Sequence, residues 1–529
     1  MTARELMVAW GGLGILSFLL FLPHILHGGF YLDDWPDAAA TLHPSDGSGL
    51  ISVLSYFNSL LSSCRPVLIV FIPLKYLLFG THIKLLLTLS VGLAFLAAAL
   101  MYAILRVLRI PWYHAWVISA LTVAYPWFDS TRFWESANPI TLAVVFAFAG
   151  LWMALVGLSR NSWRLHAGAA LLYLLSMLTY EVTLPLIAAA GLLYTARNGW
   201  RAARFRWATD LVMVAIAGLW NRTHTPKAVS SFSDNLDHLQ QIFTQSGELL
   251  ARTAFPVGVH PHTSTMLVGL ATIFALGLAL YFLLPRARIV ASASGLRSWL
   301  LLGAGGLLVA ALGWVIFVPA DPYYTPSIFG VTNRVNGLAG FGLVLVVYAA
   351  LGIVGSITGQ LVKKGPWIAP FITLSLALIL SAAYVHVLER HSQLWRDAYR
   401  YETAALNTVH SAFPQLPHGT TVFAGNYPTN VTLGVTIFAA TWDLDGAVKL
   451  TYADPTLRAY PVTEELPLEC LANGIRVGGD EGGIDTARYG NARLINLQTG
   501  ENSRPNSQSE CLALKPEYAP GPLYLATAY

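Results

Sequence analysis

The stretch RPVLIVFIPLKYLLFG, residues 65–80, decides how the chain is threaded. It is apolar but short, and it carries Pro73 and Lys75. A helix needs about 20 apolar residues to cross a bilayer. Runs of that length begin near Met7, Lys84, Tyr113, Pro139, Leu165, Val182, Ala208, Ser264, Ser298, Asn336 and Trp367, which makes about eleven transmembrane helices. If residues 65–80 lie on the outer surface as an interfacial helix, five basic clusters fall on one side. They are Arg106/Arg109, Arg160/Arg164, Arg197/Arg201/Arg204/Arg206, Arg286/Arg288/Arg297 and Lys363/Lys364. If the stretch spans, all of them flip outward. Cytoplasmic loops collect Lys and Arg, so the first arrangement is the expected one, with the N-terminus inside and the C-terminus outside.

Composition points the same way. The 529 residues are 55% hydrophobic and 11% charged, against about 25% charged in soluble proteins. Sixteen Trp and 23 Tyr suit a chain with many membrane–water boundaries. The net charge of +4 is accounted for by the basic loops and gives no reason to expect nucleic acid as a partner. The N-terminal apolar run is too long for a signal peptide and no small-x-small cleavage site follows it, so it reads as a retained helix. Cys64, Cys470 and Cys511 form no metal-ligand spacing. Cys470 and Cys511 share the polar C-terminal part, where a disulfide is expected if that part is extracytoplasmic; two unpaired thiols are the alternative.

This threading gives residues 1–387 as a transmembrane module and 388–529 as a small extracytoplasmic α/β domain. In the latter, GTTVFAG and GIRVGG read as strands, and QLWRDAYRYETAALNTVHSAF as a helix leading in. The inner loops are short and basic. The outer stretches, 27–83, 125–139, 179–181, 221–263 and 319–334, hold nearly all the acids, histidines and exposed aromatics of the transmembrane module. The chemistry is therefore expected on the outer face.

The first of these stretches contains GGFYLDDWPD, residues 28–37. Asp33 or Asp34 could serve as a general base, partly desolvated by Phe30, Tyr31 and Trp35; a solvated acidic loop is the plainer reading. Arg65 could bind phosphate or anchor on lipid head groups, and Lys75 reads as a snorkelling structural residue. In YPWFDSTRFWESANP, residues 125–139, Trp127, Phe128, Phe133 and Trp134 could stack on a sugar or pack, Glu135 is a candidate substrate contact, and Asp129 could pair with Arg132. Glu181 sits at a tight turn between apolar helices, where a carboxylate is expensive and so is usually functional or paired. His224 closes WNRTH; His260 and His262 stand two apart but lack a nearby acid, and no metal is predicted from them. SFSDNLDHLQQIFTQSGELLAR, in the same loop, reads as an amphipathic interfacial helix. Arg334 lies on the outer face, against the trend of the other cations, beside Tyr323, Tyr324 and Asn333; its planar fork suits a phosphate.

The YLDDW after the first helix, the RPV…LKYLLFG segment, Trp134–Glu135, the YE turn at Tyr180–Glu181 and the late Asn333–Arg334 together resemble the GT-C superfamily of membrane glycosyltransferases. The resemblance covers the apolar module. Bacterial members with a DD at that place include O-antigen-modifying glucosyltransferases and enzymes that decorate wall polysaccharides. It implies a polyprenyl-phosphate-linked sugar donor, a glycan or lipid-linked acceptor, a site on the outer face of the cell (inner or plasma) membrane, and direct displacement with inversion. It also implies Asp34 or Asp33 as base and Arg334 at the donor phosphate. From the residues themselves, Arg65 is a further candidate for that phosphate, and Glu181, Trp134, Glu135, Tyr324 and His224 are candidate substrate contacts. It leaves a divalent cation (Mg or Mn) open. Two other classes fit eleven spans: a transporter or flippase of lipid-linked sugars, for which internal repeats would be expected, and a glycan ligase or polymerase using Arg222, His224, His260 and His262.

Overall fold

The computed structural model describes residues 2–45, 47, 49–61, 63–225, 231–256, 293–362, 367–478 and 485–525. Helix α1 (Ala3–His27) is followed by three short helices, α2 (Asp34–Leu42), α3 (Leu50–Leu60) and α4 (Pro66–Phe79). Then come α5 (Ile83–Val107), α6 (Trp112–Ala124), the single turn α7 (Ser130–Phe133), α8 (Asn138–Arg160), α9 (Trp163–Thr179), α10 (Leu184–Asn198), α11 (Trp200–His224) and α12 (Phe232–Ala254). Past the undescribed segment lie α13 (Ala293–Val315), α14 (Ala339–Val362) and the 45-residue α15 (Ile368–Ala412).

Among the described residues, α1, α5, α8, α13, α14 and α15 are long and apolar enough to cross a membrane, and the chain is a membrane protein. The expected eleven spans are not all of this kind. Helices α6, α9 and α10 have 13, 17 and 15 residues, short of the length a bilayer takes. Helix α11 has the length, but Arg201, Arg204, Arg206 and Asp210 lower its hydropathy, and Arg206 and Asp210 pair inside it. The segment from Ser264, His260, His262 and Lys363/Lys364 lie outside the described residues. The stretch that opened the sequence reading forms α4, a 14-residue helix that is about 21 Å long at 1.5 Å per residue, too short to span. The SFSDNLDHLQQIFTQSGELLAR segment is α12, started by a capping box between Ser231 and Asp234.

The two ends of the bundle differ in chemistry. At one end Arg106 of α5 pairs with Glu5 of α1 at 2.6 Å, near the N-terminus. At the other, His24 of α1 meets the Phe133 carbonyl at 2.9 Å, and α2, α4, α7 and the C-terminal domain gather. Helix α15 is unbroken across residues 387 and 388, where the sequence reading placed a domain boundary, and carries the chain out of the apolar bundle to the sheet.

That sheet has the order β4-β1-β7-β8, from β1 (Thr421–Gly425), β4 (Arg458–Pro461), β7 (Ala492–Asn496) and β8 (Asn502–Ser503). β1 runs parallel to β4 and β7, and α16 (Thr441–Tyr452) forms the crossover from β1 to β4. Two antiparallel ribbons flank it, β2 (Asn430–Thr432) with β3 (Val435–Thr436) and β5 (Leu468–Leu471) with β6 (Gly474–Val477). The short helix α17 (Gln508–Leu514) brings Cys511 to Cys470, with Cα atoms 5.9 Å apart, and the two form a disulfide. It closes a 41-residue separation, so replacing both cysteines by Ser should cost about 2–4 kcal/mol of domain stability. Thermal unfolding of the full chain checks this; an unchanged midpoint for the sheet domain would show that the bond constrains little.

Candidate functional site

The chain leaves α1 through a tight turn, Leu32 taking a positive φ of 44°, and delivers Asp33 and Asp34 to the start of α2. The positive end of the helix dipole favours acids there. The aromatic flanks are buried: Phe30 lies edge-on to Trp35, and Tyr31 to Trp395 of α15. They bury the flanks of the turn.

The two aspartates have different surroundings. Asp34 is 0% exposed, and both its oxygens are taken: Oδ1 accepts from Ser136 N at 2.7 Å and Oδ2 from Tyr31 N at 3.0 Å. Burial, and then the negative charge of Glu135, push its carboxyl well up. Asp33 is partly exposed. Its Oδ1 accepts from Trp442 Nε1 at 2.9 Å, and among the described residues none donates to Oδ2. Burial raises its pKa too, against the opposing pull of Arg334, the Trp442 hydrogen bond and Lys75. Asp37, one turn further on the same face, is pushed up to about 8 by burial, with Lys75 opposing.

Beneath the acids lies a buried polar layer. Lys75 Nζ meets Glu135 Oε2 at 2.5 Å, both side chains 1% exposed. Tyr76 donates to the same oxygen at 2.9 Å and Asn138 to Oε1 at 3.2 Å. Lys75 therefore does not snorkel; a buried ammonium needs a carboxylate, and Glu135 supplies it. Glu135 is occupied by this pairing rather than open to a substrate.

Arg334 sits in a 3₁₀ turn, Val331–Asn336. Its guanidinium lies 4.9 Å from the Trp134 ring and 5.7 Å from Tyr324, and it has no carboxylate partner among the described residues. Both asparagines of the turn are buried anchors. Asn333 donates to Asp129 Oδ1 at 2.8 Å, and Asn336 to the Trp127 and Ser327 carbonyls, each at 2.7 Å. Asp129 Oδ2 also meets His391 Nδ1 at 2.6 Å. The expected Asp129–Arg132 pair does not form: Arg132 instead donates to the Tyr125 and Thr122 carbonyls at 2.9 and 2.8 Å, under the Phe128 ring. Trp127, Phe128, Phe133 and Trp134 are all buried, so they pack rather than offer faces to a sugar, and Trp134 serves as the floor for Arg334.

Arg65 and Glu181 are brought together. The fork of Arg65 makes two bonds to Glu181, at 3.1 and 2.6 Å, and lies 4.0 Å over Tyr180. The charges of Arg65 and Arg334 both act on Tyr180, so the two cations lie in one neighbourhood. The Glu181 carboxylate thus balances Arg65, and among the described residues Arg334 is in no ion pair. His224 stacks on Trp220 at the end of α11, and the Trp220 indole donates to the Ser63 carbonyl at 3.0 Å, two residues before Arg65.

The sequence reading missed Trp442, Asp37, His391 and the Lys75–Glu135 pair. A lysine inside an apolar run was the usable signal for the pair, because such a charge demands a partner. Nothing local marked Trp442, which reaches Asp33 across 409 residues of chain. Among the described residues no group of three or more His, Cys, Asp or Glu is placed to hold a metal ion. A cavity of about 1520 Å³, lined by Arg109, His114, Tyr173 and Arg197 among many apolar residues, lies toward the Arg106 end, away from these acids.

No protein-family model and no curated protein matches the chain. Among solved structures, it is similar to the Archaeoglobus fulgidus oligosaccharyltransferase in its apo form (TM-score 0.38, 11% identity). It is likewise similar to the same enzyme tethered by a disulfide to an acceptor peptide containing the NVT sequon (TM-score 0.37, 12% identity). Each alignment covers 87% of this chain but 64% of that enzyme, so the chain spans a little under two thirds of the relative's length.

Proposed function

We propose that the chain is an integral-membrane glycosyltransferase of GT-C type that moves one sugar from a polyprenyl-phosphate donor to a glycan or lipid-linked acceptor. The observation that carries this reading is the pairing of chemistries at one end of an apolar bundle. Among the described residues, Asp33 has a carboxylate oxygen that accepts no hydrogen bond and can take a proton, and Arg334 is a guanidinium outside any ion pair, near enough for its charge to act on Asp33.

In the proposed reaction the acceptor hydroxyl gives its proton to Asp33 and its oxygen bonds to the anomeric carbon. The bond from that carbon to the phosphate oxygen breaks on the opposite face, so configuration inverts. Polyprenyl phosphate departs with the electron pair, and Arg334 stabilises the charge that grows there. A lipid-borne donor explains why the site belongs at the end of the membrane bundle: the reactive carbon arrives from the bilayer. The same reading puts this end, and the C-terminal domain, outside the cytoplasm. The Cys470–Cys511 disulfide supports that side, since such bonds persist in oxidising compartments.

Purified full-length protein in lipid vesicles, given a polyprenyl-phosphate hexose or pentose and a polysaccharide acceptor, is the direct assay. Arg334→Gln should lower kcat by about 10²–10³-fold, the usual effect of removing one group that stabilises developing charge. Parental turnover in this variant would rule out Arg334 as the phosphate group.

A further inference from the structure

We propose that the C-terminal sheet domain is a working part of the catalytic centre, with Trp442 as a positioning residue that fixes the Asp33 carboxylate by holding one of its oxygens; this rests on the reading of Asp33 as base. Trp442 is 44% exposed, so its indole is not retained for packing, yet its Nε1 lies 2.9 Å from Asp33 Oδ1. A partly exposed aspartate otherwise samples several orientations. A hydrogen bond to one oxygen turns the plane of the group and leaves Oδ2 as the proton acceptor.

The domain is built to hold the indole there. Helix α16 approaches α2 so closely that a Cβ on Gly446 would run into the backbone of Trp35 and Pro36. The start of α16 is fixed by Asp443, whose carboxylate accepts from Ala439, Ala440 and Leu444 N at 2.9, 3.1 and 2.6 Å. A second tether grips the other half of the site. Val331 N, three residues before Arg334, donates to Gly434 O at 2.8 Å. Gly330 and Gly434, both at positive φ, meet so closely there that a Cβ on Gly330 would fall 2.5 Å from Gly434 O. The sheet domain therefore holds the Asp33 turn through α16 and the Arg334 turn through the β2–β3 ribbon, and sets one relative to the other.

The bond has a readable consequence. An N–H donated to a carboxylate favours its ionised form. Arg334 and Lys75 favour ionised Asp33 as well, while the charge of Asp33 is felt by Asp37, Tyr56, Tyr323 and Asp443. Loss of the indole N–H leaves these neighbours in place and moves the Asp33 pKa upward.

The test is Trp442→Phe in the full-length protein, with the pH profile of kcat/KM measured on the donor and acceptor used for the parent. The ring is kept and the donor removed, at a surface position where folding tolerates the change. The acid limb should move to higher pH, with a loss on the order of tenfold on the acidic side and little change on the alkaline side. A profile superimposable on the parent's, in a protein where Asp33→Asn is inactive, overturns the positioning role and leaves the transferase reading standing. An active Asp33→Asn protein overturns the base itself.

Discussion

Asp33→Asn should lower the transfer rate by about 10²–10⁴-fold, the usual share of a general base, with the thermal midpoint close to the parent's. The side chain is partly exposed and Trp442 is its hydrogen-bond partner; an amide oxygen still accepts from the indole, so the geometry survives while the base is lost. Asp34→Asn should act through stability instead. Its two oxygens accept from Ser136 N and Tyr31 N, and an amide accepts at only one end. One buried backbone N–H then loses its partner, at about 1–3 kcal/mol, so the midpoint falls and activity falls with it. The pH profile gives a second check. The base works ionised, and burial holds the Asp33 pKa above the ordinary carboxylate value. Activity should therefore fall as pH drops through that raised value, with the acid limb above the usual aspartate range. A limb in the ordinary range, or full activity in Asp33→Asn, would remove Asp33 from the mechanism.

The sequence left Asp33 and Asp34 interchangeable because both sit in the same apolar–acidic turn. What separates them comes from residues distant in the chain: Ser136 closes off Asp34, and Trp442 borders Asp33. The local features were legible. The 14 residues of α4, the strands at GTTVFAG and GIRVGG and the helix into the C-terminal domain all follow from composition and turn signals. Cys470 and Cys511 were open between a disulfide and two thiols, and the approach of α17 to β5 settles it. Polar partners were the weak point. Arg132 was expected on Asp129 by proximity in sequence, but the turns on either side aim its fork at the Tyr125 and Thr122 carbonyls. Likewise Glu181 and Arg65, expected to act separately, neutralise each other across 116 residues. Spacing reports on one helix or strand; ion pairs between elements depend on how those elements cross.

Lys75→Met should be the most damaging single change to stability. The lysine and Glu135 are both almost wholly excluded from water and lie 2.5 Å apart. Removing the ammonium leaves a buried carboxylate next to Asp34 and Asp37, whose carboxyls already feel the charge of Glu135. Breaking such a pair from one side costs about 3–5 kcal/mol, because the remaining charge keeps its desolvation penalty. The Tyr76 hydroxyl and the Asn138 amide stay bonded to Glu135 but carry no compensating charge. Removing both charges, as Lys75→Met with Glu135→Gln, should recover most of the loss, since the amide can still accept from Tyr76 and no charge is stranded. With Glu135→Gln measured alone as well, the double variant's change minus the two single changes gives the coupling. It is read as thermal midpoints of the purified protein in one detergent. A Lys75→Met midpoint equal to the parent's would mean that water reaches Glu135, and the layer beneath Asp33 and Asp34 would then be open to solvent rather than a rigid support for them.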